Sequence, residues 1–132
     1  NREMKYTLAI HGAPYASQSA QHGIAFAEAL LRQAHTIERI FFFHEGVLQA
    51  LSTPVAPQGE EDLLQKWQAL SAQGVELAVC IASGIKRGVL SEEERARYEK
   101  TSNSLAEPFT LVGLGQLISA INEADRYIEF PA

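Results

Sequence analysis

The sequence predicts a single three-layer α/β/α domain built on a mostly parallel sheet of five strands. Three observations point there. Short, almost uniformly apolar runs alternate with longer amphipathic ones, the pattern of a parallel sheet with crossover helices. The 132 residues, 46% of them hydrophobic, suit one core that buries about two-thirds of the unfolded-chain surface. No linker, internal repeat or low-complexity tract divides the chain. Asn1, Arg2 and Glu3 precede Met4, which reads as the natural start. Those three residues are taken as a remnant of expression and the domain as residues 4–132.

The elements follow in order. Tyr6–Ile10 is the first strand, ended by Gly12 and Pro14, and Ile37–Phe43 is the second, ended by His44, Glu45 and Gly46. Both are nearly all apolar or β-prone, as strands covered on two faces must be. Between them Ala20, Ile24, Ala27 and Leu31 recur at helical spacing and define one buried stripe, with Glu28 and Arg32 turned elsewhere. Ser17 and Ser19, just before it, are expected to cap this helix. After a Pro- and Gly-bearing loop at 52–59, Leu63, Trp67 and Leu70 repeat the pattern until Gly74 stops it. Glu76–Ala82 is the third strand. Ser91 with Glu94 is a capping-box signature and Glu93 with Arg97 an i, i+4 pair, so a short, solvated helix follows. Phe109–Val112 is the fourth strand. Leu114, Leu117, Ile118 and Ile121 form the last helix, and Gly113 and Gly115 at its start are expected to allow close helix–sheet packing. Arg126–Phe130 closes the sheet, its alternation marking an edge strand. Trp67 and Phe41–Phe43 belong to the core.

Composition excludes several classes. A formal charge of −5, from 16 acidic and 11 basic residues, offers no broad positive field for a polyanion, so direct nucleic-acid binding is not expected. One cysteine rules out an intrachain disulfide and fits a reducing compartment, with the cytoplasm as the default location. No apolar stretch approaches the roughly 20 residues that cross a bilayer, so no membrane association is expected.

In an open parallel sheet, reactive groups collect beyond the carboxyl ends of the strands. Those ends carry His11–Ser17, His44–Gly46, Cys80–Gly88 and Gly113–Gly115. Cys80 is either a small buried hydrophobe or a reactive sulfur, and Lys86 and Arg87 are the cations that would favour its thiolate if a turn brings them back. His11, His44 and Glu45 have metal-compatible chemistry, but their spacing matches no compact ligand motif, and histidines that merely end strands are the simpler reading. His22 and His35 read as exposed helix and loop residues. Gly113–Gly115 lacks a third glycine and the acidic partner of a dinucleotide fingerprint, and the first loop lacks the glycines of a phosphate loop, which disfavours a flavodoxin-like cofactor binder. There is no nucleophile elbow of a serine hydrolase.

Several segments carry a resemblance. They are Gly12–Ala13–Pro14–Tyr15, Phe41–Phe42–Phe43 with Glu45–Gly46, Val79–Cys80 followed by Lys86–Arg87–Gly88, then Ser102–Asn103, Phe109, Leu114–Gly115–Gln116–Leu117, and Ala124–Asp125–Arg126 with Phe130. In this order and spacing, from Met4 to Phe130, they resemble the DsrE/TusD family of sulfur-relay proteins, and so imply a DsrEFH-like domain. The resemblance implies a sulfurtransferase in which Cys80 takes up sulfur as a persulfide and passes it on, without a bound cofactor or metal. It assigns Lys86 and Arg87 a supporting role at the anionic sulfur, with Lys86 where many relatives carry a second arginine. It also implies an upstream persulfide donor protein, a heterohexamer with two homologous companion subunits, and a downstream small carrier with a cysteine-bearing tail. The expected route is 2-thiouridine synthesis at the tRNA wobble position. The alternatives are a subunit of dissimilatory sulfur oxidation, or a non-catalytic assembly or regulatory subunit in which Cys80 is packing.

Overall fold

The computed structural model describes residues 2–132. Its sheet holds five parallel strands in the order β4-β3-β2-β1-β5, with β1 at Lys5–Ile10, β2 at Thr36–Phe42, β3 at Leu77–Cys80, β4 at Thr110–Val112 and β5 at Arg126–Phe130. The expected edge strand β5 is indeed an edge, and the sheet is parallel throughout. The helices are α1 (Ser19–Arg32), α2 (Leu63–Ala72), α3 (Ile81–Ile85), α4 (Glu92–Arg97) and α5 (Leu114–Glu123), with a 3-10 turn at His44–Ala50.

Alternation along the strands sorts the two faces. Leu8, Ile10 and Phe42 look toward α1 and α2: the Phe42 ring meets Trp67 edge-on at 4.9 Å, and a Cβ on Gly23 of α1 would strike Ile10. Thr7, Ala9 and Phe41 look the other way, where the Thr7 hydroxyl donates to the Ala120 carbonyl of α5 at 3.0 Å. A chain that runs from β1 through β4 in one direction, then returns beyond β1, places its final crossover on the opposite face from the first, as right-handed connections demand. Both faces are therefore covered, and Leu8, Ala9, Ile10, Ile40, Phe42 and Trp67 are fully buried.

A polar hub ties α1's entry loop to α2. The Trp67 indole N–H donates to Gln49 Oε1 at 3.1 Å, and Gln49 Nε2 donates to the Gly12 carbonyl at 3.0 Å, all three residues being buried. A Cβ added at Gly12 would lie 2.0 Å from Ser17 Oγ and 2.4 Å from Ser19 Oγ, so both hydroxyls would have to move.

Several expectations need correction. Strand β3 ends at Cys80, and Ile81 and Ala82, expected in the strand, open α3 instead. The cap position of α1 is Gln18, without a side-chain bond; Ser17 Oγ accepts the Ser19 N–H, while Ser19 Oγ accepts the Gly12 N–H and pins the first loop. In α5 only Ala120 is buried, and Leu114 and Ile118 are more than half exposed, since the apolar stripe is wider than the strip of sheet it covers. Nothing stands within 4 Å of a Cβ built on Gly113 or Gly115, so close packing is not what these glycines serve. His35 is half-buried, its Nδ1 accepting the Met4 N–H at 3.0 Å. The capping box forms on one side, with Ser91 Oγ accepting the Glu94 N–H at 3.3 Å, and the Glu93–Arg97 pair stands at 3.8 Å.

Candidate functional site: a thiol in a row across the strand ends

Register places the side chains of the site. Phe41 is level with Ala78 and Ala9, Ala9 is level with Glu129, and Cys80 is level with Val112. Two residues beyond Ala9, Phe41 and Ala78, the α5 face carries His11, Phe43 and Cys80 across the carboxyl ends, with Val112 level with Cys80 and Glu129 two residues short of that row, level with Ala9. Cys80 closes β3 and occupies the cap position of α3, so its main chain is held by a strand on one side and a helix on the other. The residue retains 9% of its surface. It is the one cysteine of the chain and is unpaired.

Neither of the two expected supporting cations is hydrogen-bonded to the sulfur among the described residues. Lys86 follows α3 at the helix end opposite Cys80, about 9 Å along the axis by helical rise. It is exposed and lines an open groove of about 430 Å³ with Ile85, Gly88, Leu90, Tyr98 and Lys100. Among the described residues it has no ion-pair partner. Arg87 turns toward the 3-10 turn: its Nε donates to Glu45 at 2.7 Å, and another guanidinium nitrogen donates to the Ser83 carbonyl at 3.1 Å. Glu45, considered with the histidines as a metal ligand, is thereby committed to Arg87.

The histidines do come together. His11 Nδ1 lies 3.2 Å from His44 Nδ1, and His11 Nε2 lies 3.2 Å from Glu129 Oε2. Glu129 in turn accepts the Tyr127 hydroxyl at 3.0 Å. Burial first, then this bond and the charge of Glu129, push the Tyr127 phenol well above its ordinary value, so it stays a donor. His11 stacks on Phe43 as well as on His44. His44 sits at φ 49, a left-handed turn just past β2, and its N–H donates to Ser83 Oγ in α3 at 3.3 Å. The nitrogens of His11 point to two different partners rather than converging, and among the described residues no three His, Cys, Asp or Glu side chains form a metal cluster. The histidines expected merely to end strands are in hydrogen-bond contact with each other, and the carboxylate that joins them is Glu129 rather than the neighbouring Glu45. Glu129 is 118 positions from His11 and is delivered by strand order, for which local sequence holds no signal.

Fold and site thus define a class: an open parallel α/β sheet that presents one thiol at the end of its third strand. The family profile described as DsrE/DsrF-like matches residues 4–130, and the chain belongs to that family. It is 40% identical over 130 residues to a protein of Vibrio cholerae named sulfurtransferase TusD homolog, an alignment covering 98% of this chain and 99% of that one. It is also 40% identical over 128 residues to the sulfurtransferase TusD of Erwinia tasmaniensis, covering 96% of this chain and all of the relative. The crystal structure of the ychN protein from E. coli shares the fold, with a TM-score of 0.79 over 96% of this chain and 99% of that one at 23% identity.

Proposed function

We propose that this chain is a sulfurtransferase subunit that carries sulfane sulfur on Cys80 as a persulfide. The observation that carries the reading is the placement of the chain's one thiol at the carboxyl end of β3, within a full-length likeness to proteins named sulfurtransferase TusD. A thiolate is the nucleophile that takes the outer sulfur of a donor persulfide, and the product is easily attacked by a second thiol. With no other cysteine in the chain, a persulfide on Cys80 has no internal thiol to discharge it, so it persists until an acceptor brings one.

Lys86 and Arg87 are assigned as supporting residues acting through the local field around α3, Arg87 held in place by Glu45. The functional unit is the domain of residues 4–132. It works in the cytoplasm without cofactor or metal, in a heterohexamer with two homologous companion subunits, between a persulfide donor protein and a small carrier with a cysteine-bearing tail. The destination is 2-thiouridine at the tRNA wobble position.

The test is mass spectrometry of the intact protein after incubation with a persulfide donor. An added mass of one sulfur atom on Cys80, lost in Cys80→Ser with assembly preserved, is the expected result. A protein that takes up no sulfur supports the second reading, a non-catalytic assembly subunit, which the small exposure of Cys80 favours.

A further inference from the structure

The family likeness leaves unused a polar cluster at the carboxyl ends of the strands. Tyr127, Glu129, His11 and His44 form a continuous hydrogen-bonded chain, with successive contacts of 3.0, 3.2 and 3.2 Å. It begins on β5, crosses β1 and ends past β2. Strand order reverses between β1 and β5, the place where open α/β sheets locate their ligand crevice, and the His11–Glu129 contact spans that gap. The chain stands on the same face of the sheet as Cys80. Phe43, which precedes His44, is the next residue after the Phe42–Val79 pairing and therefore lies level with the thiol, about 5 Å away by strand spacing.

The geometry of the two rings restricts protons. Two Nδ1 atoms at 3.2 Å form a hydrogen bond only when one of them carries the proton. Glu129 at His11 Nε2 favours an N–H there, which leaves His11 Nδ1 to accept the Nδ1–H of His44 and leaves the exposed His44 Nε2 as the nitrogen that can give up or take a proton. His44 is exposed, and among the described residues its Nε2 makes no hydrogen bond. The other titratable or charged groups nearby are Tyr127 and Glu129 of β5 and the Glu45–Arg87 ion pair.

We infer that His44 is the proton carrier of the sulfur-transfer reaction, and that His11 and Glu129 are positioning residues that fix its ring and tautomer. The inference rests on the persulfide reading of Cys80. On loading, the Cys80 thiolate attacks the outer sulfur of a donor R–S–SH. A bond from Cys80 Sγ to that sulfur forms, the donor S–S bond breaks, and its electron pair leaves on R–S⁻. The His44 imidazolium gives its proton to this thiolate, yielding Cys80–S–SH, R–SH and neutral His44, with no net oxidation. On unloading, neutral His44 takes the proton of the acceptor thiol, whose thiolate removes the outer sulfur and restores the Cys80 thiolate. One proton is lent in the first half-reaction and returned in the second.

The test is the pH dependence of Cys80 loading with glutathione persulfide, followed by rapid-quench mass spectrometry in the native protein, His44→Asn, His11→Asn and Glu129→Gln. Asn is chosen at position 44 because it tolerates the left-handed backbone. His44→Asn should slow loading at neutral pH by about 10²-fold or more, within the usual range for general acid catalysis, and flatten the pH profile while the endpoint stays complete. The other two variants should shift the profile with a smaller loss. If the native protein loads and His44→Asn loads equally fast with the same profile, the inference fails alone; if the native protein never loads, the thiol reading falls and takes the inference with it. Ring-nitrogen NMR in Cys80→Ser checks the positioning separately: one hydrogen-bonded proton should be seen between the Nδ1 atoms of His11 and His44, and its absence would overturn the positioning role.

Discussion

Replacing Gln49 by Leu tests the hub that positions the first loop. The side chains are close in size, but leucine strands two buried groups, the Trp67 indole N–H and the Gly12 carbonyl, now bonded at 3.1 and 3.0 Å. Each unpaired buried group costs about 1–3 kcal/mol, so the gross loss is about 2–6 kcal/mol. The added apolar surface returns up to about 1.5 kcal/mol. With the full return the net destabilisation is about 0.5–4.5 kcal/mol, against the roughly 5–15 kcal/mol that holds a domain together. With a urea slope of about 2 kcal/mol per molar, the midpoint should fall by about 0.3–2.3 M. A double-mutant cycle with Trp67→Phe isolates the pair, because phenylalanine removes the donor that Gln49 Oε1 serves, and the coupling should be at least about 0.5 kcal/mol. A Gln49→Leu protein with the native midpoint, or strictly additive mutations, would refute the argument.

Three further outcomes follow from the same geometry. Gly46→Ala places a Cβ 2.2 Å from the Ile10 carbonyl oxygen, a backbone atom that cannot swing aside, so it should destabilise the fold by about 1–3 kcal/mol in urea unfolding. Tyr127 ionises above its ordinary value of 10.0 because it is buried against Glu129, so the stability it lends is complete below that pH and is lost as pH rises through it. Tyr127→Phe should therefore blunt the alkaline loss of stability while leaving the slope near neutrality unchanged, as read from urea midpoints on both sides of the phenol range. Ile118→Lys, on the outer side of α5, should change the stability of the isolated chain by no more than about 0.5 kcal/mol in the same assay.

Much of the scaffold is legible in the sequence because β1, β2 and the stripes of α1 and α2 obey one period each. Ile10, Phe42 and Trp67 could have been placed in the core from that pattern alone, and they are buried. Boundaries are harder to read where the chemistry is continuous. The run through Cys80, Ile81 and Ala82 is apolar throughout, so nothing local marks the change from strand to helix, and α3 carries Gly84 inside it, buried against Leu111 and Val79. The 3-10 turn rests on Gly46 fitting against Ile10, a contact across strands. The α5 stripe is true helical periodicity, yet periodicity does not say how much of a stripe the sheet covers. The thiol was visible as a residue type at a strand end. The His11–Glu129 partnership depends on β5 returning beside β1, which strand lengths and composition do not encode.

Cys80 closes a four-residue strand and opens a helix in the same residue, with strands on both sides and almost no free surface. Such an anchorage leaves the sulfur no hinge and no arm to swing. In the proposed relay this subunit is a fixed berth, and the reach must belong to the molecules that load and empty it. The donor and acceptor chains therefore have to present their reactive sulfurs on slender, extended segments that can enter a narrow opening, arrive one at a time, and withdraw before the next one docks.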